Sequence, residues 1–304
     1  MNDILYIVVP CYKEEEVLPE TAKRLKEKMN GLIENGKISE SSRIVFVNDG
    51  STDSTWEIIK ELHASDKLFS GINLSRNRGH QNALLAGLMT VIEHSDVSIS
   101  MDADLQDDIN AVDKMLDKYY EGFDIVYGVR SRRDTDTFFK KFSAESFYKL
   151  MELLGAKVVF NHADYRLMSK RALKGLNEFK EVNLFLRGII PMIGYKSTTV
   201  EYERGERFAG ESKYPLKKML AFAFEGITSL SIAPIRFIGS LGILLMIIAV
   251  ILFAMGFGLI LSSIWFISGI QLLCIRVIGE YLGKIYLETK ARPRFIVEEF
   301  LNER

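Results

Sequence analysis

An unusually long uncharged run constrains the fold of this chain most. Residues 237–275 are 39 consecutive positions without Asp, Glu, Lys or Arg, whereas one bilayer-spanning helix needs about 20 apolar residues. The run predicts a hairpin of two short membrane spans over 235–277, with a buried helix pair in a soluble protein as the alternative. Arg236 precedes the run and several basic residues follow it, so both ends belong on the cytoplasmic side. We therefore expect a two-span protein of the cell membrane with its other domain on the cytoplasmic face.

Ahead of this run, short apolar segments alternate with helical patterns. Apolar residues recur three and four positions apart, as in Leu18, Ala22, Leu25 and Met29, which is typical of helices with one buried face. The segments between them are rich in β-branched residues and nearly all apolar, which favours buried parallel strands. These candidate strands are Leu5 to Val9, Ile44 to Val47, Ile72 to Leu74, Val97 to Met101 and Ile125 to Val129. The alternation predicts a doubly wound, mostly parallel α/β sheet with ligands at the carboxyl ends of its strands.

Charge is sorted along the chain although the total is only -1. Lys and Arg minus Asp and Glu give -10 for residues 1–126, +8 for 127–236 and +1 for 237–304. An acidic first part fits a site neutralised by a cation, and a basic middle part fits an anionic partner such as a phosphate, a nucleic acid or lipid head groups. A solvated surface would give the same distribution, so both interpretations stay open.

Polar loops follow three of the candidate strands, at 10–14, 48–53 and 102–107. Asp102 and Asp104 stand two positions apart at a strand end, where both carboxylates reach one hard cation, and the amide oxygen of Gln106 is a third ligand. Oxygen ligands suit Mg²⁺ or Mn²⁺, and Mg²⁺ completes its shell with water and substrate phosphates. Helix capping and turn formation are the alternative roles for such aspartates.

Several other classes of site are excluded by their missing motifs. A calcium loop starting at Asp102 would need Gly and Glu where the chain has Asp107 and Asp113. The chain has no G-x-x-x-x-G-K-[ST] motif of nucleotidases and no G-x-G-x-x-G motif of dinucleotide-binding enzymes after the first strand. It also lacks the G-x-S-x-G nucleophile motif. The chain has two cysteines, Cys11 and Cys274, which lie far apart in the sequence and do not indicate a disulfide framework. No Cys or His residues have the spacing of zinc ligands, so a structural zinc site is not indicated either.

Nine motifs run in order through residues 4–297 and together resemble those of family-2 glycosyltransferases that load a sugar onto a polyprenyl phosphate. Within this family the chain is similar to bactoprenol glucosyltransferases and, more distantly, dolichyl-phosphate mannose synthases. The motifs are VVPCYKEEEVL, VNDGSTDST, LSRNRGHQNALLAGL, MDADLQDD, GVRSRR, ADYRLMSKRAL, FLRGIIPMIGY, ERFAGESKYPLKKML and GEYLGKIYLETKARPRFIV.

This resemblance implies a cytoplasmic GT-A catalytic domain over 1–212, an amphipathic helix next to the membrane over 213–234 and a cytoplasmic C-terminal segment over 278–304. Basic and aromatic residues in 136–154 and 213–232 also fit helices lying flat on a membrane, or equally helices packed on the sheet. The family further implies a homo-oligomer, to which the Gly279-x-x-x-Gly283 spacing adds a weak indication.

The resemblance also assigns the site. The matching motifs place Pro10, Tyr12, Glu14, Asp49 and Asp102 at the donor nucleotide. Asp102, Asp104 and Gln106 would hold the Mg²⁺ or Mn²⁺, and Asp104 and Asp164 are the catalytic candidates. Asp164 either orients or deprotonates the acceptor, or pairs with Arg166. Because the acceptor phosphate is an anion, basic side chains should surround it. The candidates for that role are Arg130, Arg133, Lys141, Arg207 and Lys213.

The implied reaction is inverting transfer of glucose from UDP-glucose to undecaprenyl phosphate, with UDP-GlcNAc and GDP-mannose as alternative donors. The expected partners are the nucleotide-diphosphate sugar, the polyprenyl phosphate and the membrane, without nucleic acid. A processive polysaccharide synthase is disfavoured because the chain lacks a Q-x-x-R-W motif. A non-catalytic membrane scaffold with the same fold is the remaining alternative.

Overall fold

A computed structural model describes residues 3–131, 162–182, 184–203 and 260–302, which form one eight-stranded sheet flanked by helices. The strands are β1 (Leu5–Cys11), β2 (Arg43–Asn48), β3 (Phe69–Leu74), β4 (Val97–Ser100), β5 (Ile125–Arg130), β6 (His162–Ser169), β7 (Ser197–Tyr202) and β8 (Val297–Leu301). The helices are α1 (Leu18–Glu34), α2 (Thr55–Ser65), α3 (His80–Val91), α4 (Ala111–Tyr120), α5 (Lys170–Asn177), α6 (Leu186–Met192) and α7 (Ile260–Lys290).

The strand order is β7-β5-β6-β4-β1-β2-β3-β8. Strands β4, β1, β2 and β3 pair in parallel, and so do β5 and β7. Strand β6 is antiparallel to both β4 and β5, and β8 is antiparallel to β3. The carboxyl ends of β1, β2 and β4 therefore meet at one edge of the sheet, where the polar loops emerge.

Hydrophobic cores lie on both faces of the sheet. Alternate residues of β1 point to opposite faces: Leu5, Ile7 and Val9 pack with α1, α2 and α4, whereas Tyr6 and Val8 pack with α3, α5 and α6. Each face thus buries one side of the strands and the apolar stripe of three helices. This double coverage explains why the central strands are apolar throughout.

The predicted α/β architecture is confirmed, and β1 to β5 coincide with the five candidate strands to within a few residues. Strand β6 was not predicted and adds antiparallel pairing to the expected parallel sheet. It occupies the ADYRL motif, whose mixture of charged and apolar residues hides a strand that is buried from Tyr165 onwards.

The C-terminal segment belongs to the sheet. After α7 the chain turns and adds β8 to the edge strand β3. The start of this turn is fastened to the loop after α5, because Arg294 Nη1 donates to the carbonyl oxygen of Phe179 at 3.1 Å and Glu288 Oε2 accepts from the backbone N–H of Val182 at 2.8 Å. Helix α7 runs without interruption through position 277, the expected end of the membrane hairpin.

The predicted membrane spans are not found among the described residues, and 235–259 of the expected hairpin lie outside those residues. Across the four described ranges, no helix combines the length and the apolar character needed to cross a bilayer. This finding corrects the prediction of a two-span hairpin over 235–277 and the cell-membrane localisation with a cytoplasmic catalytic face that rested on it. The interfacial helices predicted in 136–154 and 213–234 fall outside the described residues.

Candidate active site

Hydrogen bonds donated by three backbone N–H groups join the loops after β1 and β2. The N–H of Asp49 donates to the carbonyl oxygen of Cys11 at 2.9 Å, that of Lys13 to Ser51 Oγ at 3.1 Å, and that of Glu14 to Thr55 Oγ1 at 3.0 Å. Lys13 has a φ of 58°, an uncommon left-handed conformation for a residue with a side chain. Pro10, Tyr12 and Glu14, three of the five expected donor-binding residues, lie at the end of β1 and in the loop after it, and Tyr12 is exposed.

Asp49 fixes the start of α3. Its side chain is buried, and Oδ1 and Oδ2 accept hydrogen bonds from the backbone N–H groups of Arg78 and Gly79 at 2.7 and 2.9 Å. Burial raises the pKa of the Asp49 carboxyl, and the two backbone donors oppose that shift. Both oxygens therefore accept hydrogen bonds from the loop 75–79. The contact of Asp49 with a donor nucleotide stays a prediction.

Asp102 and Asp104 follow β4 in a strained loop. Leu105, between Asp104 and Gln106, has a φ of 57°, a conformation that tends to persist at functional sites. Asp104 Oδ1 accepts from the backbone N–H of Gln106 at 3.2 Å, which closes the turn. The side chain of Asp102 is 35% exposed, but its Oδ1 is buried without a hydrogen-bond partner. Burial raises the pKa of Asp102 to about 6.

These residues fit a hard divalent cation. A buried carboxylate oxygen without a hydrogen bond is energetically unfavourable unless a cation offsets its desolvation. Within the described part of the chain, no three His, Cys, Asp or Glu side chains converge on one point as a complete metal cage. A site of two carboxylates and one amide oxygen, completed by water and a diphosphate, matches the way Mg²⁺ is commonly held.

His80 lies between Asp102 in the loop after β4 and Asp164 in β6. It is the first residue of α3, and its Nε2 lies 3.4 Å from Asp102 Oδ1 and 3.7 Å from Asp164 Oδ2. Because Asp49 holds the backbone immediately before α3, the position of His80 depends on the loop after β2. Residues from four separate parts of the chain thus converge on one site.

Asp164 lies between two arginines. Arg166 Nη2 donates to Asp164 Oδ1 at 2.5 Å, and Arg187 Nη2 donates to Oδ2 at 3.1 Å, with Arg187 Nε 3.4 Å from Oδ1. Burial would raise the pKa of Asp164, but the charges of Arg187 and Arg166 outweigh it and hold the pKa far below its usual range. Asp164 is therefore an anion at every physiological pH and a weak proton acceptor.

Arg130 is the single acceptor candidate among the described residues, since Arg133, Lys141, Arg207 and Lys213 fall outside them. Its Nε donates to the hydroxyl of Tyr202 at 3.3 Å, and its Nη2 lies 3.8 Å from Asp107 Oδ1. The same Asp107 oxygen accepts from the Tyr202 hydroxyl at 2.5 Å. Arg130 is thus held at the end of β5 by the loop that also carries Asp102 and Asp104.

Two cavities border these loops. One of about 600 Å³ lies beside the loop after β2 and is lined by Asn48, Ser51, Arg76 and Asn77, with Glu298 from β8. The other, of about 660 Å³, lies beside Gln106. The polar lining and the position at the carboxyl ends of the strands suit a nucleotide.

Sequence reasoning missed two members of the site. His80 and Arg187 both stand in motifs that carried the family resemblance. His80 was set aside because a lone His in such a loop more often has a structural role, and Arg187 was not considered. The pairing of Asp164 with Arg166 was considered and is present. Only the fold reveals that α3 and α6 bring His80 and Arg187 to Asp164.

A mixed α/β sheet with aspartates and arginines gathered at the edge where its parallel strands end has the architecture of a GT-A-type glycosyltransferase. The sequence matches the family described as Glycosyl transferase family 2 over residues 6–176. The chain belongs to this family, and its sheet is the GT-A-like mixed α/β fold that the resemblance implied.

The relatives cover nearly the whole chain. An uncharacterized glycosyltransferase, YkoT, from Bacillus subtilis (strain 168) is 51% identical over 97% of this chain and 91% of its own length. The bactoprenol glucosyl transferase of Shigella phage SfX is 41% identical over 96% and 98%. Among solved structures, mannosyltransferase PcManGT from Pyrobaculum calidifontis in complex with GDP-Man and Mn²⁺ is 15% identical, with a TM-score of 0.49, over 93% of this chain and 88% of that one.

Proposed function

We propose that this glycosyltransferase moves glucose from UDP-glucose to undecaprenyl phosphate with inversion at the anomeric carbon. Support comes from relatives named bactoprenol glucosyl transferases, which are 39–41% identical over 96% of the chain. The same chemistry with UDP-GlcNAc or GDP-mannose is the alternative, because the residues that would contact the hexose are not identified.

One observation carries the proposal. His80 approaches both Asp102 of the metal loop and Asp164 of the arginine cluster, at 3.4 and 3.7 Å. A carboxylate pair suited to a metal-bound diphosphate and a cluster of cations suited to a second phosphate are therefore neighbours. Such an arrangement fits transfer between two phosphate-bearing substrates.

The reaction needs no strong base. A phosphate monoester loses its second proton with a pKa of about 6, so its oxygen is mostly ionised at neutral pH. That oxygen attacks the anomeric carbon and forms the new C–O bond while the bond to the nucleotide diphosphate breaks. The leaving nucleotide keeps the bonding electron pair, and no proton has to move. A single displacement of this kind gives a β-linked product from an α-linked donor.

Asp164 fits this scheme as an organiser of cations. Held by Arg166 and Arg187, it stays ionised and is poorly suited to removing a proton. Arg130 and the candidates Arg133, Lys141, Arg207 and Lys213 would supply further positive charge around the acceptor. Their role is to reduce the repulsion between two anionic substrates.

Asp102, Asp104 and Gln106 would hold the divalent cation, Mg²⁺ or Mn²⁺. Bound there, such an ion supplies a Lewis acid that stabilises the negative charge developing on the leaving diphosphate. Pro10, Tyr12 and Glu14 would contact the nucleoside, since they line the loop beside Asp49. Lys13 and Leu105 both have a positive φ, a conformation that persists only where the surrounding structure holds it.

The test is transfer to extracted undecaprenyl phosphate by purified protein, with UDP-glucose, UDP-GlcNAc and GDP-mannose labelled and offered in parallel. The proposal predicts one labelled lipid, formed from UDP-glucose, lost on chelation of the metal and absent with Asp104→Ala. If the labelled lipid forms from another donor, the sugar of that donor replaces glucose in the proposal. If no lipid product forms while the nucleotide still binds, undecaprenyl phosphate is refuted as the acceptor.

A further inference from the structure

Arg187 and Asp164 form a two-contact pair at the edge of the site. Arg187 uses Nη2 and Nε toward the two carboxylate oxygens, at 3.1 and 3.4 Å. The Asp164 side chain is 12% exposed, and that of Arg187 is 31% exposed. The Arg187 side chain is thus oriented by Asp164 and is partly accessible to solvent.

Arg166 and Arg187 differ in their exposure to solvent. Arg166 is 1% exposed and lies on the protein side of Asp164, so Arg187 is the arginine of the pair that a ligand can touch. A guanidinium group is planar, always charged and well suited to the geometry of a phosphate.

The backbone beneath Arg187 is fixed by packing. Arg187 stands in the first turn of α6, and its neighbours Leu186, Ile189 and Ile190 are buried. Gln81 Oε1 accepts from the N–H of Leu186 at 2.8 Å, which ties α6 to the turn that follows His80. The same short segment therefore places His80 toward the metal loop and Arg187 toward Asp164.

We propose that Arg187 binds a phosphate group of a substrate and that Asp164 is the positioning residue that orients its guanidinium group. The inference rests on the proposed function and adds a residue to it. The phosphate has two possible sources, the acceptor monoester and the donor diphosphate. The acceptor is expected, because the cation at Asp102 and Asp104 already compensates the donor.

Steady-state kinetics of Arg187→Gln and Arg187→Lys test this, with the acceptor and donor varied separately. Loss of a hydrogen bond to a charged group predicts an acceptor KM raised about 10- to 100-fold in Arg187→Gln. Arg187→Lys should recover part of that loss, because it keeps the charge without the two-pronged geometry. Asp164→Asn should raise the same KM by misplacing Arg187. A rise confined to the donor KM would move the contact to the diphosphate.

A second aspartate–arginine pair provides the matched control. Asp124 pairs with Arg171 between β5 and α5, remote in the chain from the metal loop. Arg171→Gln and Asp124→Asn should leave both KM values within about twofold of wild type. If Arg187→Gln changes neither KM more than Arg171→Gln does, the inference is wrong.

The two failures are distinguishable. Wild-type protein that makes no lipid product refutes the proposed function before any variant is compared. Wild-type transfer with unchanged KM values in Arg187→Gln refutes this inference alone. Because Asp164→Asn leaves buried Arg166 without its carboxylate and can unfold the protein, the decision rests on the Arg187 variants, whose melting temperatures are measured alongside.

Discussion

Asp49 Oδ2 accepts a hydrogen bond at 2.9 Å from the backbone N–H of Gly79, the residue directly before α3. Through this contact the loop after β2 sets the position of His80, which in turn approaches Asp102 and Asp164. We therefore expect the carboxylate of Asp49 to influence the loop that carries Asp102 and Asp104 through the position of His80.

Asp49→Asn is expected to weaken both stability and donor binding. An amide keeps one acceptor oxygen but turns an N–H₂ group toward a backbone N–H, so one of the two hydrogen bonds is lost. The expected cost is about 1–3 kcal/mol of unfolding free energy, measured by urea denaturation, together with a raised donor KM. Unchanged stability would show that the two backbone contacts do not hold the loop.

Gly50→Ala should be far more harmful than Gly36→Ala. Both glycines have a positive φ, 61° and 65°, so both variants carry a similar backbone strain of about 1 kcal/mol. A Cβ at Gly50 would lie 2.4 Å from the backbone nitrogen of Asn77, whereas one at Gly36 meets nothing within 4 Å. The difference in melting temperature between the two variants isolates the steric cost, and equal losses would contradict the close approach of the two loops.

Asp102→Asn should stabilise the metal-free protein at neutral pH while abolishing transfer. Burial raises the pKa of Asp102 to about 6, so the folded state binds a proton that the unfolded state releases near pH 4. Stability from this group is therefore lost as pH rises from about 4 to 6. The gain in Asp102→Asn is expected to be about 1 kcal/mol at pH 7, since the side chain is partly exposed.

Urea denaturation with a chelator present, at pH 5 and pH 8, measures that gain. The variant's advantage should be larger at pH 8 than at pH 5. Added Mg²⁺ or Mn²⁺ should stabilise the wild type and leave the variant unchanged. An Asp102→Asn variant that is less stable than wild type at pH 8 without metal would contradict the proposed cost of the buried carboxylate.

Removal of residues 297–304 should destabilise the whole domain. The deletion strips β8 from the edge of the sheet, which exposes the backbone of β3, and it removes the apolar side chains of Val297 and Phe300 that pack on the core. We expect a melting temperature lower by about 5 °C or more and increased aggregation. Removal of Glu303 and Arg304 alone should have no such effect. Equal stability of the two truncations would show that β8 contributes little.

The central sheet could be predicted from the sequence because the signal for each buried strand lies in a few consecutive residues. A buried parallel strand must be apolar along its whole length, and β1, β2 and β4 carry that signal in a few consecutive residues. The aspartates after these strands were placed at one edge by the same reasoning. Asp164 became a site candidate only through the family resemblance, because the residues around it in the sequence do not indicate a role.

The remaining features depend on tertiary contacts. Strand β6 is stabilised by pairing with β4 and β5, although its sequence contains Asp164 and Arg166. The uncharged run at 237–275 led to the prediction of membrane spans, and no helix within the described part of the chain is long and apolar enough to cross a bilayer. His80 and Arg187 were missed because their significance arises only from distances to Asp164 across the fold.

The most direct test of the account compares two acceptors with labelled UDP-glucose, undecaprenyl phosphate and undecaprenol, which differ only in the phosphate. The account predicts rapid, metal-dependent formation of a labelled lipid from undecaprenyl phosphate and none above background from undecaprenol. Equal transfer to the alcohol, or transfer to neither lipid while UDP-glucose is consumed, would contradict a phosphate oxygen as the nucleophile.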